Sequence, residues 1–201
     1  MKNQIYVLLS ALLFAILTFT SRSYAQGVED YKSSTVNQPG KEYPMVNSEG
    51  RVRVQISAPE AKKMQLDIGA VKYDLKKDKN GVWTGDSDSQ DEGFHYYQLN
   101  IDGASIPDSG TLYFYGAHRW GSGIEIPTYN QDFYALKNVP HGDVRDYIYY
   151  SKTTKTMRRC FVYTPPSYDK NTLERYPILY LQHGGGGKNE IGWSSQGHAN
   201  R

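Results

Sequence analysis

RVRVQIS, residues 51–57, alternates Val52, Val54 and Ile56 with arginine, glutamine and serine. Period two places the three apolar side chains on one face of a strand, and Pro59 ends the run. The same grammar continues downstream. KMQLDI (63–68) stops at Gly69, VKYDLKK (71–77) at Asp78-Lys79-Asn80-Gly81, and VWTG (82–85) follows. FHYYQLNI (94–101) stops at Asp102-Gly103, and TLYFYG (111–116) stops before His118. Short alternating runs about ten residues apart, with Asn-Gly and Asp-Gly turns between them, predict an antiparallel β-sandwich.

Two stretches around it read differently. Residues 26–43 are polar and aperiodic, as expected of a flexible leader. Residues 117–142 are irregular, and their Gly, Pro and Asn content predicts a long connection packed down through Trp120, Tyr129, Phe133 and Tyr134. Three further strands are expected at DVRDYIYYS (143–151), MRRCFVYTPP (157–166) and YPILYLQH (176–183). Ile178 to Leu181 are apolar without alternation, which suits a strand covered on both faces in an α/β sheet. The sandwich unit is therefore expected over 44–142, and a second, incomplete α/β unit over 143–201.

At the N-terminus, Lys2 precedes an apolar core from Ile5 to Phe19, and Ser23-Tyr24-Ala25 offers a small-x-small cleavage site. This predicts a secretory signal peptide over 1–25, cleaved after Ala25, and a secreted or periplasmic protein without membrane attachment afterwards. Removing it takes Lys2 and Arg22 from 23 basic residues and nothing from 21 acidic ones. A neutral remainder of about 175 residues has no electrostatic footprint for nucleic acid. Cys160 is the single cysteine, so no internal disulfide framework exists, and its place in an alternating strand predicts a small buried hydrophobe.

His183 and four glycines, Gly184 to Gly187, follow the apolar run YPILYLQ. A P-loop would need glycine at 182 and Ser or Thr at 189, where Gln182 and Asn189 stand. The dinucleotide pattern places its last glycine on Asn189 or Glu190 and fails too. No cofactor site is implied. A linker or a plain structural turn is left, beside the favoured reading: a strand ending in His-Gly-Gly matches the loop that gives a backbone N–H to the oxyanion in α/β-hydrolases.

RRCFVYTPPSYD (158–169), RYPILYLQHGGGG (175–187) and GWSSQGHAN (192–200) together resemble the opening of carbohydrate esterase family 1. These are feruloyl and acetyl-xylan esterases of the esterase D type. The preceding EGRVRVQISAPEAKKMQLDI, GVWTGDSDSQDEGFHYYQLNIDG and DFYALKNVPHG resemble the immunoglobulin-like early-set domain often fused to them, which is similar to family 48 carbohydrate-binding modules. The resemblance implies an α/β-hydrolase domain begun near residue 143. It implies that Gly185 gives the first oxyanion N–H, that Gly184 and Gly186 shape the loop, that His183 holds it, and that Trp193 lies near an acyl pocket. It implies a polysaccharide or acylated oligosaccharide substrate. The nucleophile, acid and base of the family have no counterpart in this chain, which lacks G-x-S-x-G, so these residues alone are expected to be inactive. His198 stands where the family has a basic residue and Arg201 where it has an apolar one, which suggests truncation or a shifted frame.

Other features carry less. Trp120, in HRWGSG, offers either a sugar-stacking surface or a packing contact between the two units. Trp83 and the strand tyrosines Tyr96, Tyr97, Tyr113 and Tyr115 read as packing residues. His95, His118 and His141 are too scattered for a metal set. Asp86, Asp88 and Asp91 lack the spacing of a calcium loop and read as a solvated acidic turn.

Overall fold

The computed structural model describes residues 28–116, 118–182 and 191–195. Arg51–Ser57 is a strand with the expected boundaries, here β3, after two short strands, β1 (Lys32–Ser33) and β2 (Met45–Val46). Val52 and Val54 are fully buried and Ile56 packs beside them, so the alternation marks the inner face. The hairpin β4 (Met64–Ile68) and β5 (Val71–Asp74) follows, then β6 (Lys76–Lys77), β7 (Val82–Ser89) and β8 (Gly93–Ile101). β9 (Ala104–Ile106), β10 (Tyr113–Gly116) and β11 (Arg119–Ile126) complete the unit.

These strands form two antiparallel sheets, in the orders β1-β2-β3-β7-β6 and β10-β11-β8-β4-β5, with β9 also on β8. One core lies between them. Val52, Val54 and Trp83 from the first sheet meet Met64, Leu66, Ile68, Tyr97, Leu99, Ile124 and Ile126 from the second. Each such side chain taken fully from water contributes about 1.5–3 kcal/mol, so this interface holds the sandwich together. The run expected as a single strand over 71–77 divides at Leu75. Its first part pairs with β4 and its last with β7, so the chain crosses between layers at one buried residue. Asp102 and Gly103 both take positive φ in the two-residue turn from β8 to β9, as hairpin twist requires. The Asp102 carboxylate accepts the Lys62 and Lys63 N–H groups at 2.9 and 2.7 Å, tying that turn to β4.

Several expectations need correction. Residues 28–43 do not form a loose leader. Val36 is fully buried, Asn37 bridges to Thr111, and the Asn37 amide donates to the carbonyls of Lys41, Glu42 and Pro44. Long-range polar contacts fix this stretch, and periodicity does not register them. Residues 119–126, read as irregular, are the strand β11. Its glycines lower strand propensity but meet a steric need. A Cβ on Gly123 would lie 2.4 Å from the Phe94 ring, and one on Gly121 2.3 Å from Gln98 Nε2. In the rest of that connection Tyr129 and Phe133 are exposed rather than packed down, although Tyr134 donates to Glu125 at 3.3 Å. Asp86 and Asp88 lie on β7 and not in a turn.

Beyond the sandwich, β12 (Asp143–Ser151) and β13 (Thr156–Thr164) pair along their whole length in a two-stranded sheet. Cys160, expected to be buried, is partly exposed there. Tyr176–Gln182, expected as a strand, is unpaired, and Ile178, Leu179, Tyr180 and Leu181 are exposed. An apolar run becomes a strand only where an edge pairs with it, and none does so among the described residues. The described part therefore shows strands and one five-residue helix, α1 (Ile191–Ser195), and no α/β layer.

Candidate functional site

The hydrophobic pattern that builds β8 also builds a cleft on its outer face. Tyr97 and Leu99 point into the core, so Tyr96, Gln98 and Asn100 point out. β4 adds Asp67 on one side, and β10 and β11 add Gly116, Arg119 and Gly121 on the other. Asp67, Tyr96, Gln98, Gly116, Arg119 and Gly121 line a cleft of about 200 Å³. Its floor is backbone, because Gly116 and Gly121 leave room for Tyr96 and Gln98 to lie against the sheet. Tyr96 is fastened there by its hydroxyl, which donates to Tyr115 O at 2.9 Å. Burial pushes that hydroxyl's pKa up, so it stays a donor.

Gln98 is the unusual member. It is 4 % exposed, lies against Gly121, and its side chain lines the cleft. Asn100, beside it, donates to Asp67 Oδ2 at 3.2 Å. A side-chain amide facing a cleft offers a ligand hydroxyl both a donor and an acceptor. The polar residues of the lining are Asp67, Tyr96, Tyr97, Gln98 and Arg119. Sequence reasoning missed it, because the site depends on β8 pairing with both β4 and β11.

Trp120 opens β11 opposite Tyr115 of β10 and is 51 % exposed. Its ring meets Tyr115 edge-on at 5.4 Å between centroids, so it has the aromatic neighbour that the sequence alone could not supply. Tyr113 and Tyr115 share its face of the sheet by register. Trp193 sits in α1, alongside β10, and is also exposed. Both tryptophans thus neighbour β10, while neither lines the cleft. His183, Gly184, Gly185, Gly186, His198 and the segment 1–25 lie outside the described residues. Among the described residues no three His, Cys, Asp or Glu side chains cluster as metal ligands.

The class defined by this geometry is an antiparallel β-sandwich with a polar outer cleft and an exposed aromatic ledge. No protein-family model matches the chain. Over 179 residues it is 48% identical to the endo-1,4-beta-xylanase/feruloyl esterase of Xylanibacter ruminicola, a match that takes in 85% of this chain and 24% of that protein. The chain is thus related to a carbohydrate-active enzyme and spans about a quarter of its length. Among solved structures, ligand-free PulA from Klebsiella pneumoniae aligns with 50% of this chain and 11% of its own, at 15% identity and a TM-score of 0.35.

Proposed function

We propose that the chain is the N-terminal portion of a secreted serine carboxylic-ester hydrolase that removes feruloyl or acetyl groups from plant-type polysaccharides. The observation that carries this reading is 48% identity to a protein named for xylanase and feruloyl esterase activities. The His183-Gly184-Gly185-Gly186 run agrees with it. In this reading residues 143–201 begin an α/β-hydrolase domain, residues 1–25 direct export, and the Gly185 N–H faces the oxyanion of the tetrahedral intermediate. A serine further along the polypeptide attacks the ester carbonyl with histidine as base, and water then releases the acyl-enzyme. Trp193 flanks the acyl group. The test is hydrolysis by the full-length protein of the source genome. Release of ferulate or acetate from acylated xylan oligomers is expected, and a folded protein inert on both would overturn the reading.

A second reading concerns the sandwich, and the Gln98 cleft favours it: this unit holds glycan without cleaving it. Retention on immobilised xylan is the measurement. Gln98→Ala is expected to weaken retention about threefold to tenfold, the worth of one hydrogen bond in a desolvated site. A loss confined to Trp120→Ala would move the contact to the aromatic ledge, and no retention by the parent chain would leave the sandwich a packing role.

A further inference from the structure

The first described residues are held by polar contacts, with one arginine at their centre. Arg53, on the outer face of β3, donates through Nε and Nη2 to the two Asp86 carboxylate oxygens, each at 2.7 Å. Its Nη1 and Nη2 also donate to the Glu29 carboxylate, at 2.7 and 3.0 Å, and the guanidinium lies 3.9 Å from the centre of the Tyr31 ring. One arginine is therefore shared between the sandwich and the incoming chain. Two polar contacts flank it: Asn47 Nδ2 donates to Val28 O at 2.9 Å, and the Ser48 N–H donates to Asp30 Oδ1 at 3.0 Å. Lys32 and Ser33 then pair as β1 with β2. None of residues 28–33 is buried; the first core side chain is Val36.

Apolar burial responds weakly to pH and salt, whereas exposed and half-exposed ion pairs respond to both. A segment fastened by such ion pairs and a few hydrogen bonds, with no core side chain of its own, has a stability of its own. We propose that residues 28–33 form a detachable strap, latched on Arg53, that acid or salt opens while the sandwich stays folded, uncovering the outer edge of β2.

The charged and titratable groups at the latch are Glu29, Asp86 and Tyr31 around Arg53, with Asp30 and Lys32 beside them and the Glu49–Arg51 pair (3.4 Å) on the adjoining turn. The Arg53 hydrogen bonds hold the Glu29 carboxyl below its ordinary 4.5, and the Ser48 N–H does the same for Asp30 below 3.8. Carboxyls lowered in the closed form stabilise it above their ordinary values and cease to as pH falls through the lowered ones. Burial, and then Asp86, push the Tyr31 hydroxyl up to about 12, so its neutral form favours closure until pH rises above the ordinary 10.0. The strap is closed between these limits.

Hydrogen exchange of the whole chain, corrected for intrinsic rates, reads the opening. From about pH 7 to about pH 3.5, or toward about 1 M salt, the amides of Lys32 and Ser48 are expected to open roughly tenfold more often, while those joining β3 to β7 do not change. Glu29→Gln leaves the Arg53–Asp86 pair intact. It is expected to open the strap about threefold to tenfold at neutral pH and to remove most of the acid response. Adding Asp30→Asn removes the remainder. A Glu29→Gln strap as closed and as acid-sensitive as the parent would overturn the proposal, and so would strap and β3–β7 amides losing protection together.

Discussion

Trp83→Ala is expected to cost about 3–5 kcal/mol of folding free energy, seen as a lower urea midpoint with an unchanged slope. Trp83 is 6 % exposed and stands opposite Ile56 of β3 and Lys77 of β6, so its removal opens a void where three strands and both layers meet. The indole N–H also donates to Ala58 O at 3.0 Å, and the Lys77 ammonium lies 5.6 Å from the indole ring centre. The same ammonium donates to Pro59 O and Ala61 O, so the tryptophan backs a clamp on the turn after β3. Trp83→Phe keeps most of the volume and is expected to lose less than half as much. Its loss includes about 1 kcal/mol for the hydrogen bond, since Ala58 O still accepts the Ala61 N–H. An alanine variant within about 1 kcal/mol of the parent would mean that this side chain does not fill the core.

Asp108→Ala is expected to cost about 2–5 kcal/mol, mostly through what it abandons. Asp108 is 5 % exposed; its Oδ2 accepts the Tyr97 hydroxyl at 2.7 Å and its Oδ1 the Gly110 N–H at 2.7 Å. Its own N–H donates to Ser122 Oγ at 2.6 Å, and Tyr97, Thr111 and Ser122 around it are at most 1 % exposed. Burial, then the Asp108 carboxylate, hold the Tyr97 pKa well above 10.0, so the hydroxyl remains a donor. Tyr97→Phe removes that donor and is expected to cost about 1 kcal/mol. The double variant is then expected to fall short of the sum by about 1–2 kcal/mol. Strict additivity in thermal or urea unfolding would mean that the two groups do not meet in solution.

Local pattern was enough for β3 and β12, whose boundaries agree with RVRVQIS and DVRDYIYYS, because alternation is a property of the run itself. β11 escaped notice for the opposite reason. Its Gly-Ser-Gly centre looks like a loop until Phe94 and Gln98 are laid over it from another strand. Tyr176–Gln182 has strand composition without a strand's partner. The Gln98 cleft is silent in sequence as well, because it exists only after β4, β8 and β11 have paired. Trp120 was visible as a candidate, but its Tyr115 neighbour required the β10–β11 register.

The crossing at Leu75 bears on how this sandwich tolerates change in length. Only that residue separates β5 from β6, and its N–H donates to Met64 O at 2.9 Å while its side chain is buried. An extra residue there would shift Lys76 and Lys77 along β7 and turn their side chains over, or else pull β5 out of step with β4. A residue added among the exposed Asp78–Asn80 would lengthen a surface turn instead. Relatives with insertions should therefore carry them in that turn and keep the spacing at Leu75, where a gain of a single codon would set one layer against the other.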